Sequence, residues 1–121
     1  MITVILPVPP STNNLYVNGK RGRFKSQRYK EWEIEAMDWL RQQKSNVVIG
    51  AYSMEIKLPE MIRGDIGNRE KAISDLLVAE GSIPDDKHAW RISIERNPNI
   101  PPGECHVTVR SIKTSNNREA A

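Results

Sequence analysis

A chain of 121 residues has the length of one domain, with room for a modest core and none for a separate substrate domain. A formal charge of +3 and a pI of about 9.2 argue against a strongly acidic protein and hint at an anionic partner. The single cysteine, Cys105, excludes an internal disulfide, and the lack of a long apolar run predicts no signal peptide and no membrane span, hence a cytoplasmic protein.

Ile2 to Leu6 reads as a strand, ended by Pro7-Val8-Pro9-Pro10, which cannot continue a hydrogen-bonded ladder. Ser11-Thr12-Asn13-Asn14 is a polar turn, explained by turn chemistry or by contact with phosphate or sugar. Lys20, Arg21, Arg23, Lys25, Arg28 and Lys30 then follow with no acid among them, interleaved with Phe24 and Tyr29. Such a stretch is either a solvated loop leading into a helix or a track for a phosphate backbone, with rings that stack or wedge at exposed bases.

From Ser26, a candidate N-cap, to about Lys44 the periodicity is helical, with Tyr29, Trp32, Ala36, Trp39 and Leu40 on one stripe. That stripe faces the core, or in part a second subunit. Val47 to Pro59 reads as a half-buried strand, in which Tyr52, Met54, Ile56 and Leu58 alternate with polar residues. It delivers the chain to Asp65, in a Gly-flanked turn ahead of a helix. Ala72, Ile73, Leu76, Leu77 and Ala79 form that helix's apolar side, and Gly81 stops it.

Lys71 and Asp75, four apart, share the opposite side of the helix. Asp85 and Asp86 follow the next turn, so a returning strand could bring acids from both ends of the helix together. The same residues also read as an N-cap, a surface ion pair and a polar turn. Trp90, Ile92 and Ile94 alternate with Arg91, Ser93 and Glu95 in a further strand, and Cys105 to Ile112 reads as its partner in a hairpin across the turn at 97–103. Residues 1–112 form one domain, and 113–121 a polar tail expected to be disordered. The expected fold is α+β, a small mixed β-sheet with helices packed on one side.

Carboxylates from separate elements, a lysine beside them and a basic stretch nearby suit Mg2+-dependent hydrolysis of a phosphodiester. His88 and His106 lack zinc-ligand spacing, and no Gly-rich loop follows a strand, so neither zinc chemistry nor a nucleotide cofactor is expected.

Asp65-Ile66-Gly67-Asn68-Arg69-Glu70-Lys71-Ala72, then Gly81-Ser82-Ile83-Pro84-Asp85-Asp86, resembles the core of the RusA-type Holliday junction resolvases. The opening Leu6-Pro7-Val8-Pro9-Pro10-Ser11-Thr12-Asn13-Asn14 and the basic Gly19 to Lys25 segment resemble that family too. The resemblance implies a homodimer that nicks four-way DNA junctions in pairs with Mg2+. It implies Asp65, Lys71 and Asp86 as catalytic residues, with Asp65 a metal ligand and Asp86 a further essential acid expected at the metal.

The family pattern is Asp-x-Asp-Asn-x-x-Lys, and Gly67 stands here in place of its second Asp. A neighbour such as Asp75, Glu70 or Asp85 takes over that ligand role, Asp75 being the first choice; or fewer ligands suffice; or the protein binds junctions without cutting them. A small RNA-binding protein with structural acids is a weaker alternative. Expected DNA contacts are Lys20, Arg21, Arg23 and Lys25, with Arg63 and Arg69 flanking the acids and Asn13 and Asn14 orienting the backbone.

Overall fold

The computed structural model describes residues 1–43 and 46–114. Six strands form in chain order: β1 (Ile2–Pro7), β2 (Tyr16–Gly19), β3 (Gly22–Lys25), β4 (Tyr52–Pro59), β5 (Ala89–Asn97) and β6 (Glu104–Ser111). Two α-helices separate them, α1 (Gln27–Gln42) and α2 (Glu70–Glu80). Single-turn 3-10 helices lie at Thr12–Asn14, Ile66–Arg69 and Asp86–His88.

The main sheet has the order β1-β6-β4-β5 and is mixed, with β4 and β5 parallel and the other pairs antiparallel. Strand alternation turns Ile2, Val4, Leu6, Tyr52, Met54, Ile56, Leu58, Cys105, Val107 and Val109 to one face, where all are buried. Tyr29, Trp32, Ala36 and Leu40 of α1 and Ala72, Ile73, Leu76 and Leu77 of α2 close over them in one core. Burial of each large apolar side chain is worth about 1.5–3 kcal/mol. The helices occupy one side of the sheet, as the expected fold requires.

Local chemistry sets the helix ends. The Ser26 hydroxyl accepts from the Tyr29 amide at 3.1 Å and starts α1. Gly81, at φ 95°, ends α2 and sends its N–H to the Leu77 and Val78 carbonyls. Just beyond α1, the Gln43 amide pairs with Ile5 in both directions, accepting at 2.7 Å and donating at 2.6 Å. That side chain acts as a short strand partner for the free edge of β1.

Three features differ from the expectations. β5 and β6 are not a hairpin: both pair with β4, which lies between them, and the turn-rich segment 98–103 steps across its end. The strand expected from Val47 starts at Tyr52. The basic segment is the β2–β3 hairpin, with Val17 opposite Phe24 and Asn18 opposite Arg23. Of the expected tail, residues 115–121 lie outside the described residues, as does Lys44 at the expected end of the first helix. Among the described residues no helix is long and apolar enough to cross a membrane.

Candidate active site and nucleic-acid interface

Because β4 and β5 are parallel neighbours, the chain between them must cross back over the sheet, and α2 is that crossover. Asp65 therefore lies between β4 and α2, and Asp85 and Asp86 between α2 and β5. Asp65 is exposed and precedes the 3-10 helix Ile66–Arg69, with no side-chain capping bond. The helix expected right after it starts at Glu70, one 3-10 turn later.

Two arginines shape the approach to Asp65. Arg96 of β5 donates to the carbonyls of Glu60 at 3.1 Å and Gly64 at 3.0 Å, and also to that of Ile62. Arg69 donates to the Arg63 carbonyl at 2.9 Å and to the Pro9 carbonyl at 2.6 Å. The Thr12 hydroxyl donates to the Asn68 carbonyl at 2.8 Å, which brings the polar turn at 12–14 against the acidic turn. Sequence reasoning missed Arg96, since an arginine in an alternating strand carries no sign of carbonyls more than thirty positions away.

Lys71 and Asp75 form the expected pair on α2, with Nζ 3.3 Å from Oδ2 and both side chains partly exposed. The Asp75 hydrogen bond, followed by its charge, raises the lysine's pKa, and Asp86 adds to this from further away. The two acids after α2 interact with each other. Asp85 caps the 3-10 helix Asp86–His88 by accepting from the Lys87 amide at 3.0 Å, and that bond together with its contact to Asp86 lowers its pKa. The Asp86 carboxyl is raised, first by its hydrogen bond with Asp85, then by desolvation and the charges of Asp85 and Asp75, with Lys71 opposing. Lys71, Asp75, Asp85 and Asp86 thus share one electrostatic neighbourhood.

Two side chains beneath them were not singled out from the sequence as parts of the site. Tyr52 is buried with its hydroxyl unpartnered among the described residues, and its pKa is pushed up to about 12 by burial and then by Asp86, Glu70 and Asp85. Its strand alternation marked it as core without showing what lies over the ring. Ser74, also buried, donates to the Glu70 carboxylate at 2.6 Å, which commits one Glu70 oxygen within the helix.

Among the described residues, no group of three or more His, Cys, Asp or Glu is arranged to hold a metal ion. The donor set still fits Mg2+, which prefers carboxylate oxygen, keeps several waters and needs only one or two protein carboxylates. Asp86, whose carboxyl is raised by Asp85 and by the charge of Asp75, is an acid that a cation would relieve.

The expected DNA contacts fall into two groups. Lys20 and Arg21 form the exposed turn of the β2–β3 hairpin, and Arg63 is exposed beside the acidic turn. Asn13 and Asn14 line a cavity of about 230 Å3 with Tyr16, Val17, Ser26 and Arg28, and the Asn14 amide donates to Ser11 at 3.1 Å. The others are engaged within the chain. Arg23 lies 4.5 Å over the Tyr16 ring, Lys25 pairs with Glu33 at 2.9 Å, and Arg69 is drawn inward to carbonyls, its buried Nε without a partner among the described residues.

Compared with known families, residues 7–110 match the family model described as endodeoxyribonuclease RusA. No curated protein matches the chain.

Proposed function

Because the chain belongs to the RusA endodeoxyribonuclease family, we propose that it resolves four-way DNA junctions as a homodimer by paired, symmetric, Mg2+-dependent nicks. The observation that carries this reading is the family match over residues 7–110, a span that includes Asp65, Lys71 and Asp86 at motif spacing.

Asp65 and Asp86 would hold Mg2+, with Asp85 adjoining and Asp75 substituting for the carboxylate that Gly67 lacks. When bound, the ion polarises the phosphoryl group and lowers the pKa of a water molecule. Lys71, whose pKa Asp75 raises, neutralises charge that develops on the phosphate oxygens. Arg69 and Arg96 fix the backbone that leads into Asp65, so its carboxylate is presented from a braced turn. Lys20, Arg21 and Arg63 bind phosphates, joined by Arg23 and Lys25 where their internal partners release them; Arg69 adds its charge from within the brace, while Asn13 and Asn14 orient the backbone.

One observation favours a second reading, in which the chain binds junctions with impaired cutting. Gly67 does not have positive φ, and a Cβ built on it meets nothing within 4 Å, so neither backbone nor packing demands glycine there.

Nicking of a labelled four-way junction with Mg2+ and with EDTA, beside a gel shift of the same junction, tests the proposal. Paired nicks that require Mg2+ support the first reading. Junction-selective binding without nicks supports the second, and binding no tighter than to linear duplex removes both.

A further inference from the structure

We infer that Phe24 is a base-stacking wedge, which engages an unstacked base at the branch point while the rest of its hairpin holds the flanking phosphates. This rests on the junction reading above and deepens it by naming the group that senses disrupted stacking.

The β2–β3 register divides the hairpin into two faces. Tyr16, Asn18, Arg23 and Lys25 share one, and Val17, Gly19, Gly22 and Phe24 the other. The first face is anchored to α1: the Tyr16 ring meets Tyr29 edge-on at 5.8 Å, Lys25 lies 5.2 Å over Tyr29, and its Nζ pairs with Glu33. With that face turned to the helix, the second is left to solvent, and Phe24 is 53% exposed.

The ring lies against its own hairpin. A Cβ on Gly19 would sit 2.4 Å from Cε1 of Phe24, so the ring lies directly over the glycine backbone, and a larger residue at 19 would move it. Resting on the backbone, Phe24 loses little freedom when a base stacks on its open side.

The surroundings select nucleic acid as the occupant. Lys20 and Arg21 stand exposed at the turn of the same hairpin, Arg23 and Lys25 add positive charge from its other face, and no acid intervenes from Gly19 to Lys30. Cations spaced along a strand with an aromatic between them match phosphates spaced along a backbone with a base between them. Val17, opposite Phe24, also borders the cavity lined by the Asn13 and Asn14 amides and Arg28, groups that hydrogen-bond base edges. A base in a continuous duplex is stacked on both sides, whereas one at a branch point gives up less to reach the ring.

The test uses a four-way junction without Mg2+, carrying 2-aminopurine either at the branch point or within an arm. With the wild-type chain the branch-point probe changes in fluorescence on binding and the arm probe does not. Phe24→Ala abolishes that change and loses roughly five- to a hundredfold in junction affinity, with linear-duplex affinity and salt slope unchanged. Phe24→Trp keeps both signal and affinity, which separates lost stacking from a damaged hairpin.

Lys20→Ala/Arg21→Ala weakens junction and duplex alike and flattens the salt slope by about two units, one for each lost phosphate contact. Phe24→Ala binding and signalling like wild type overturns the wedge and leaves the junction reading standing. Wild-type chain that binds the junction no better than duplex overturns the junction reading itself, and the wedge with it.

Discussion

The Arg69 guanidinium donates to the Pro9 carbonyl at 2.6 Å, joining positions sixty apart in sequence, and with its other terminal nitrogen holds the Arg63 carbonyl at 2.9 Å. The proline-rich exit of β1 and the approach to Asp65 therefore share one planar fork. A lysine has a single point charge and no fork to span both carbonyls. Arg69→Lys should lower the unfolding free energy by about 1.5–3 kcal/mol, the range for hydrogen bonds from a charged group. Urea denaturation at neutral pH measures it, and an unchanged midpoint would show that the fork is dispensable.

Asp65→Asn and Asp86→Asn should each bind the four-way junction as wild type does while nicking it at least about a hundredfold more slowly. Both side chains are exposed, so neither change should shift the melting temperature. Normal nicking by either variant removes that residue from the site.

Asp75 raises the pKa of Lys71. A raised lysine pKa keeps the ammonium form at neutral pH and loses it only as pH rises through the folded-state value. If catalysis needs protonated Lys71, Asp75→Asn moves the alkaline limb of the pH–rate profile to lower pH, while Lys71→Met lowers nicking across the whole profile. If Asp75 also binds the ion, Asp75→Asn raises the Mg2+ concentration for half-maximal rate. Rate profiles at several Mg2+ concentrations separate the two effects.

Gly67→Asp introduces a carboxylate where a Cβ finds open space and no positive φ, so the variant should melt within about 0.5 kcal/mol of wild type. A site that lacks a ligand gains nicking activity from it. A site already completed by Asp75 gains little or loses some, because its ligand set is already filled.

Burial raises the pKa of Tyr29 and pushes Tyr52 and Cys105 up to about 12. For an acid whose folded pKa is raised, stability is intact below the unfolded value and falls as pH climbs toward the folded one. These groups should thus leave stability level up to about pH 8, with the Cys105 contribution falling first and the two tyrosines following above about pH 10. Absorbance of tyrosinate followed alongside circular dichroism checks this. The folded Cys105 thiol should also resist alkylation at pH 8, whereas urea-unfolded chain reacts.

Local patterns were readable wherever one face of an element is covered. Tyr52, Met54, Ile56 and Leu58 alternate into the core as their spacing indicates, and Tyr29, Trp32, Ala36 and Leu40 mark the covered side of α1. Trp39, placed on the same stripe, is only half-buried. The pattern misled at the sheet margin. Trp90 alternates with charged residues like a core side chain yet is 66% exposed, because β5 is an edge strand and the register shifts where it meets Tyr52 and Ser53.

The β2–β3 hairpin was hidden because its inner face carries Arg23 and Lys25, which cover aromatic rings with cations instead of showing apolar alternation. Of the site, the Lys71–Asp75 pair followed from helical spacing alone. The roles of Arg69, Arg96 and Tyr52 depend on contacts made across the sheet and its loops, and no local signal records them.

The placement of β6 has a consequence for the timing of folding. It lies between β1 and β4, so β1 has no strand partner in the main sheet until residues 104–111 have left the ribosome. Until then β4 and β5, with α2 between them, can form only half of that sheet. Pairings this distant in sequence are slow to form and leave strand edges open to neighbouring chains in the meantime. The nascent protein is thus most vulnerable to aggregation just before its last strand is made, and a chain cut short of residue 104 loses the strand that joins its two halves.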